Sequence, residues 1–392
     1  MSRSLPRFGG RFAHELDFDH FVALCAEPGG DVATPHAADI IAGIPIYDGE
    51  TFRSATDDGS TNEGSAEVLR AELADVFGQG AGVIVIRNGW NDRGAVDAMT
   101  DALLAVIERE RANGDGFDHF AASGANSRAW DVLGKVAKLD PAAHVAYYGN
   151  AVLDLVSEAW LGPWYQVTAQ VNIVHPGGSA QSPHRDYHLG FLSDADAARF
   201  PAHVHHLSQA LTLQGAVAHS PMPIESGPTM LLPGSQRFAA GYLAWRDERF
   251  KQHFAEHSVQ VELEPGDAVF FNPALHHAAG ENRTADHDRI GNLMQVSSAF
   301  GVPMEAVDWD GVATSTYPVL LGLAEAGELT GAHIATCASG YPFPSNLDTD
   351  ASDSGLAPAS LQDLLRTALN ERLTHERFAE LVAAKRTARH AF

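Results

Sequence analysis

Two different patterns of apolar residues follow each other along the chain. The first fifty residues lack sustained periodicity, but from about residue 65 to residue 163 apolar positions often recur every three or four residues, which is the spacing of an amphipathic helix. The clearest case begins at Asp92, and its apolar face carries Val96, Met99, Leu103 and Ile107. From residue 164 to about residue 300, short apolar runs are separated by Pro-Gly, Gly-Pro and Asn-Pro turns. This second pattern predicts a β-rich centre after the N-terminal helices.

Three further elements can be bounded in the first part of the chain. A helix capped by Ser65 is expected to end before Gly78, and its apolar face holds Val68, Leu69, Leu73, Val76 and Phe77. Residues 82–87 form a β-branched run between glycine and an Asn-Gly pair, which predicts a buried strand. Asp140 and Pro141 start another predicted helix, which runs to about Leu161. We expect the helices to pack on the outside of the β-rich centre.

The centre and the C-terminal part complete the expected architecture. Strands are predicted at residues 211–219, 229–232 and 267–271, and a helix from Leu361 to about Arg386. That helix either covers the core or forms a dimer surface, and core cover is the better default. The expected fold class is mainly β with flanking helices, built on a double-stranded β-helix core, a cupin-like jelly roll.

We expect a single domain over residues 1–392. Within it, residues 1–163 form an N-terminal helical region with one or more strands, residues 164–300 the jelly-roll core, and residues 301–392 a C-terminal loop and helices.

Charge and cysteine content limit the expected partners. The chain has 26 Lys and Arg residues against 50 Asp and Glu residues, a formal net charge of −24. Such a surface repels phosphate backbones and anionic membranes, so neither nucleic acid nor a membrane is expected as a partner. No apolar run approaches the roughly 18 residues of a membrane-spanning helix. The start of the chain does not resemble a secretory signal, and two cysteines, Cys25 and Cys337, suit a reducing cytoplasm.

One group of residues predicts a metal site. His184 and Asp186 are two positions apart, and alternate side chains of a β-strand point to the same face, so both can reach one ion while Arg185 turns away. A second histidine, His277, follows Asp186 by 91 positions. Two histidines and one carboxylate suit non-haem Fe(II) and leave coordination positions open for oxygen and a co-substrate.

The blocks around these residues carry a family resemblance. Residues 170–188 contain a Pro-Gly turn and the first ligand pair, residues 226–236 read SGPTMLLPGSQ, and residues 265–284 lead through His277 to a Gly-x-Asn-Arg motif. In this order and spacing, the chain resembles the phytanoyl-CoA dioxygenase-like family of Fe(II)/2-oxoglutarate oxygenases over about residues 80–300.

Two positions depart from the family pattern. Gln236 stands where a histidine is usual, which we expect to cost a surface contact rather than a ligand. Leu275 and His276 stand where many members have a tryptophan before the ligand, which leaves the register open between His276 and His277. Counting back from the Gly-x-Asn motif favours His277.

The resemblance implies a role for each site residue. His184, Asp186 and His277 are the implied Fe(II) ligands, and 2-oxoglutarate and O2 are the implied co-substrates. Arg289, 12 residues after His277, is the expected partner of the distal carboxylate of 2-oxoglutarate, because a guanidinium forks two donors onto a carboxylate. Many such enzymes add a hydroxyl two residues later, where this chain has Gly291.

Two amide side chains are further candidates on the strand before the metal pair. Asn172 or Gln170 could donate to the co-substrate carboxylate near the metal. Either could instead satisfy backbone groups of the barrel, and the sequence leaves both alternatives open.

The implied reaction is oxidative decarboxylation of 2-oxoglutarate to succinate and CO2, coupled to hydroxylation of an unactivated C–H bond in a small-molecule substrate. A carboxylate at Asp186 favours hydroxylation, since related halogenases have Gly or Ala there. Two alternatives remain: a non-oxidative jelly-roll isomerase or hydrolase that uses another metal, and a binding relative without turnover. The expected assembly is a monomer or a homodimer.

Overall fold

The computed structural model describes residues 16–56, 63–113, 125–352 and 356–390. Its strands, numbered in chain order, are β1 (Asp39–Ile41), β2 (Ile44–Asp48), β3 (Val83–Arg87), β4 (Asn126–Ala129), β5 (Gln166–Val174), β6 (Thr212–Ala218), β7 (Met230–Leu232), β8 (Ala268–Phe271), β9 (His276–Ala278) and β10 (Arg289–Ser297).

Fifteen α-helices are present in the same described ranges. They are α1 (Phe18–Ala26), α2 (Gly49–Thr56), α3 (Glu63–Gly78), α4 (Arg93–Ala112), α5 (Val132–Leu139), α6 (Pro141–Tyr148), α7 (Ala151–Leu161), α8 (Asp194–Ala197), α9 (Ala202–Ala210), α10 (Gly241–Ala244), α11 (Glu248–His257), α12 (Trp309–Ala326), α13 (Gly331–Cys337), α14 (Leu361–Asn370) and α15 (His375–Arg389). None of these helices combines the length and the apolar character needed to cross a membrane.

Eight strands form one large sheet in the order β1-β2-β3-β8-β6-β10-β5-β4. All neighbouring pairs are antiparallel except β2 and β3. The central strand β10 pairs along its full length with β5 and along most of it with β6. This double pairing leaves no free edge beside β10, so its side chains are held in a fixed register.

A second, smaller sheet is built on the antiparallel pair β7 and β9. Residues 181–186 run along the other side of β9, where the backbones of His184 and His277 exchange hydrogen bonds of 3.0 and 3.2 Å. The two sheets face each other, as a contact between them shows: the ring centroid of Phe271 in β8 lies 4.7 Å from that of His277 in β9. This pair of facing sheets is the jelly-roll core expected from the sequence.

The expectation of a mainly β protein was wrong in its proportions. More of the described residues lie in helices than in strands. The helices have their own apolar faces to bury. One group covers the outer face of the large sheet, and helices α12 to α15 pack against each other in a second apolar cluster. A β core of this size therefore supports a helical layer larger than itself.

Two helices predicted as continuous are each divided in the structure. The helix expected from Asp140 to Leu161 ends at Tyr148, and Asn150 begins α7 by accepting hydrogen bonds from the backbone N–H groups of Val152 and Leu153. The C-terminal helix is likewise interrupted after Asn370, and Thr374 caps α15. In both places a short polar side chain competes with helical continuation by capping a new helix.

The helix after Asp92 follows its prediction closely. The Asp92 side chain accepts a hydrogen bond from the backbone N–H of Ala95, and all four predicted apolar residues are buried. The helix predicted from Ser65 begins at Glu63 instead, and Val68 is 56% exposed although it was placed on the apolar face.

The C-terminal helices cover a core, so a buried leucine there should be important for stability. Leu365 of α14 is fully buried, and Leu365→Ala should lower the free energy of unfolding by about 2–5 kcal/mol through lost transfer energy and a residual cavity. Leu356, which is 82% exposed, provides the control, and Leu356→Ala should change it by less than about 0.5 kcal/mol. Urea denaturation followed by circular dichroism measures both. Small effects from both substitutions would contradict core cover by α14.

Candidate metal centre

The structure brings His184, Asp186 and His277 together between the two sheets. One ligand atom from each residue lies within 4.8 Å of the others. The Nε2 atom of His184 is 3.6 Å from Asp186 Oδ1, and the Nε2 atom of His277 is 3.4 Å from Asp186 Oδ2. Two imidazoles and one carboxylate converging in this way have the donor types and the open side of a facial iron site.

The second nitrogen of each imidazole is already committed. His184 Nδ1 lies 2.8 Å from the carbonyl oxygen of Ser182, and His277 Nδ1 lies 2.9 Å from that of Leu275. A carbonyl can only accept, so each Nδ1 carries the proton and donates it. Each Nε2 therefore presents a lone pair toward Asp186, which is the tautomer that a metal ligand requires.

Asp186 is held in its charged form. Burial alone would raise the pKa of this carboxyl group, but the neighbouring imidazoles of His184 and His277 and a hydrogen bond from Gln214 outweigh burial and lower it. Gln214 Nε2 donates to Asp186 Oδ2 at 2.5 Å. Burial also lowers the pKa of His184, which keeps that imidazole neutral. The triad therefore combines a carboxylate with a neutral donor nitrogen, as metal binding needs.

The residues next to the ligands point away from the centre. Arg185 is buried on the opposite side of its segment, where its guanidinium donates to the carbonyl oxygens of Ser235 and Phe238. His276 lies against the ring of Phe21, at 5.1 Å between ring centroids. The structure therefore groups His277 rather than His276 with the other two residues, because neighbouring side chains of a strand face opposite ways.

The pairing register shows which face of the large sheet lies over the metal residues. Side chains directly opposite each other on neighbouring strands share a face. Gln214, which contacts Asp186, and Phe271, which contacts His277, are cross-strand partners in one row. Following alternate residues along the same face of β10 and β5 leads from that row to Leu293 and Gln170, Gly291 and Asn172, and Arg289 and Val174.

Arg289 is therefore on the metal-facing side of the sheet, and it is buried. Its Nη1 donates to the carbonyl oxygens of Ser226 at 2.9 Å and Gly280 at 3.2 Å. Burial lowers its pKa to about 10, so the guanidinium is still protonated at neutral pH, and no neighbouring charge in the described chain contributes to the shift. A buried cation without an anionic neighbour favours binding of an anionic ligand.

The two amide candidates differ in their surroundings. Asn172 is buried, and its Oδ1 has no hydrogen-bond partner among the described residues. Gln170 is engaged at both ends of its amide: Oε1 accepts from Arg128 Nη1 at 3.1 Å, and Nε2 donates to Glu305 Oε1 at 3.3 Å. Asn172 is thus available for a ligand, whereas Gln170 must exchange a partner to contact one.

Gln214 and Glu305 were not among the candidate site residues predicted from the sequence. Gln214, Ala216 and Ala218 are two positions apart along β6, so they share one face of the strand, and Gln214 is a polar residue beside two small ones. That signal was available. Nothing in the local sequence around Glu305 distinguishes it from the other acidic residues of the chain. Gln236, expected at the surface, is instead buried, and its Nε2 donates to the carbonyl oxygen of Gly80 at 2.9 Å.

Several known proteins are similar to this chain. The dioxygenase FrzG of a Cladobotryum species is 30% identical over 161 residues, covering 40% of this chain and 49% of FrzG. The dioxygenase cdmD of Talaromyces verruculosus is 29% identical over 157 residues, covering 40% of this chain and 47% of cdmD. The chain thus spans about half the length of these curated relatives.

Solved structures give more distant matches. HygX from Streptomyces hygroscopicus, with nickel, 2-oxoglutarate and hygromycin B bound, has a TM-score of 0.39 at 16% identity over 58% of this chain and 87% of its own. The non-haem carbocyclase SnoK from nogalamycin biosynthesis has a TM-score of 0.43 at 20% identity over 60% of this chain and 86% of its own.

A family model decides the assignment. The model of phytanoyl-CoA dioxygenase (PhyH) matches residues 78–291, which is more than half of the 392 residues. The match contains all three residues of the candidate metal centre and Arg289, and it confirms the resemblance seen in the sequence. The chain belongs to the phytanoyl-CoA dioxygenase family.

Proposed function

We propose that the protein is an Fe(II)- and 2-oxoglutarate-dependent dioxygenase that hydroxylates an unactivated C–H bond of a small molecule, with release of succinate and CO2. The observation that carries the proposal is the joint placement, on facing walls of one core, of a triad of two histidines and one carboxylate and of a buried arginine with no carboxylate partner among the described residues. Family membership and the dioxygenase relatives support it.

The donor set fits a ferrous ion. His184, Asp186 and His277 would hold it through two Nε2 atoms and one carboxylate, and the ion would activate O2 together with the 2-oxo acid. With only these three protein ligands, the ion would keep positions open for O2 and the co-substrate. Because Asp186 supplies a protein carboxylate, that position is not vacant for a halide, and hydroxylation is favoured over halogenation.

Arg289 would bind the distal carboxylate of 2-oxoglutarate. The remaining N–H groups of its guanidinium can form a two-pronged contact with the carboxylate while Nη1 stays anchored on the carbonyls of Ser226 and Gly280. Gly291 and Ala218 lie in the row between Arg289 and the metal-facing centre of the sheet, so neither position puts a long side chain in the path of the co-substrate. Asn172 is in the same row, and its Nδ2 would donate to the carboxylate nearer the metal.

The remaining work of the protein is positioning. Gln214 orients Asp186 through a direct hydrogen bond, and the backbone carbonyls of Ser182 and Leu275 orient the two imidazoles. The apolar side chains of Leu293 and Phe271 border the same space and limit access of water. The substrate partner is proposed to be a small molecule.

Loss of one imidazole should abolish formation of the ternary complex. Anaerobic addition of Fe(II) and 2-oxoglutarate should produce a weak visible charge-transfer band, and His277→Ala should remove it because a two-ligand site no longer holds the ion facially. His20 is exposed on α1, so His20→Ala is the matched control and should keep the band. A band of unchanged intensity in His277→Ala would disprove the ligand assignment.

Arg289 should determine the affinity for 2-oxoglutarate. Arg289→Gln should raise the KM for 2-oxoglutarate by about 10- to 100-fold in a succinate assay, since a charge-assisted contact contributes about 1.5–3 kcal/mol. Arg289→Lys should recover part of the loss, because it keeps the charge but not the planar fork. The exposed residue Arg283 is the control, and Arg283→Gln should leave the KM unchanged. Succinate formation absent from the wild-type protein would favour a non-oxidative metalloenzyme.

A further inference from the structure

A loop after β10 places a carboxylate beside the proposed active site. We call residues 301–308, which connect β10 to α12, the strap. Glu305 is at its centre, with Oε1 accepting from Gln170 Nε2 at 3.3 Å and Oε2 accepting from the backbone N–H of Asp131. Its exposed neighbours, Met304 among them, point outward, so the strap turns the Glu305 side chain inward.

Gln170 belongs to the metal-facing side of the large sheet, where it pairs with Leu293. A carboxylate hydrogen-bonded to Gln170 therefore borders the same space as the triad.

Polar groups on the metal-facing side of the sheet can form more hydrogen bonds than the described residues provide. A carboxylate offers about four lone-pair positions, and Glu305 receives two hydrogen bonds. The Oδ1 atom of Asn172, on the same face of the sheet, is buried and has no hydrogen-bond partner within the described ranges. Buried polar groups are normally satisfied, so a ligand with a polar group is expected to complete this wall.

We propose that Glu305 is a substrate-recognition residue, accepting a hydrogen bond from an uncharged hydroxyl group of the substrate. The inference rests on the proposed oxygenase function, because it places the hydroxyl beside the proposed iron site. It assigns the substrate to the class of alcohols.

The charges around Glu305 select a neutral donor. Arg128 is one hydrogen-bonded residue away, through Gln170, and a bound ferrous ion adds further positive charge, so an ammonium group is disfavoured. A substrate carboxylate would be repelled by Glu305 and Asp186. Burial raises the pKa of Glu305 to about 7. Lys135, whose positive charge acts on Glu305, donates a hydrogen bond to Glu110. A hydroxyl donor would replace part of the hydration that Glu305 has lost.

The test uses three small probes that share a cyclohexane ring and differ in its polar substituent: cyclohexanol, methoxycyclohexane and cyclohexylammonium. Their dissociation constants are measured by ligand-observed NMR on the full chain loaded with Zn(II) and 2-oxoglutarate, which cannot turn over. The wild-type protein should bind cyclohexanol about 10-fold more tightly than methoxycyclohexane, the value of one hydrogen bond to a charged group. Glu305→Leu should reduce that ratio to below about twofold, and Glu305→Gln should keep part of it because an amide oxygen still accepts.

Glu325 is exposed on α12, so Glu325→Leu is the matched control and should retain the full ratio. The inference is overturned if the wild-type protein shows no preference for cyclohexanol, including the case in which no probe binds, if the preference survives Glu305→Leu, or if cyclohexylammonium binds best. The anaerobic Fe(II) and 2-oxoglutarate band separates the two proposals. A wild-type protein that forms the band without preferring the alcohol overturns only this inference, whereas a missing band overturns the proposed function.

Discussion

The candidate site depends on a single stretch of backbone pairing between residues 181–186 and β9. The backbones of His184 and His277 exchange two hydrogen bonds, and the N–H of Asp186 donates to the carbonyl of Pro273 at 3.1 Å. Residues 93 positions apart in sequence are thereby placed side by side with their imidazoles on one face. Because strand pairing fixes register to a whole residue, a slip of one position would turn His276 toward the centre and His277 away from it.

The large sheet separates two environments by the same alternation. On the outer face, Val171 of β5 and Met294 and Val296 of β10 pack into the apolar layer formed with the helices. On the inner face, Asn172, Gln170 and Arg289 lie opposite the metal residues. The apolar layer supplies the stability that lets the inner face keep polar groups without protein partners. Such unsatisfied groups are costly, and they persist where a ligand completes them.

Charge is arranged along the inner face in a way that suits three different ligands. The carboxylate of Asp186 lies between the imidazoles of His184 and His277, Arg289 is a buried cation at one end of the face, and Glu305 enters from the strap at its side. A cation, a dianion and a neutral donor each have a separate complementary position. The overall charge of −24 belongs to the surface and does not describe this interior.

The sequence by itself determined the residue types of the site and the period of each major element. The capped helix after Asp92 could be predicted, and His184 and Asp186 could be proposed as ligands, because each depends on spacing within a short segment. The extent of the helical layer, the breaks before Asn150 and Thr374, and the burial of Gln236 depend on competition between local caps and distant packing partners. Only the tertiary structure engaged Gln170 with Arg128 and brought Glu305 to Gln170, because cross-strand register and loop paths are set by contacts between residues far apart in the chain.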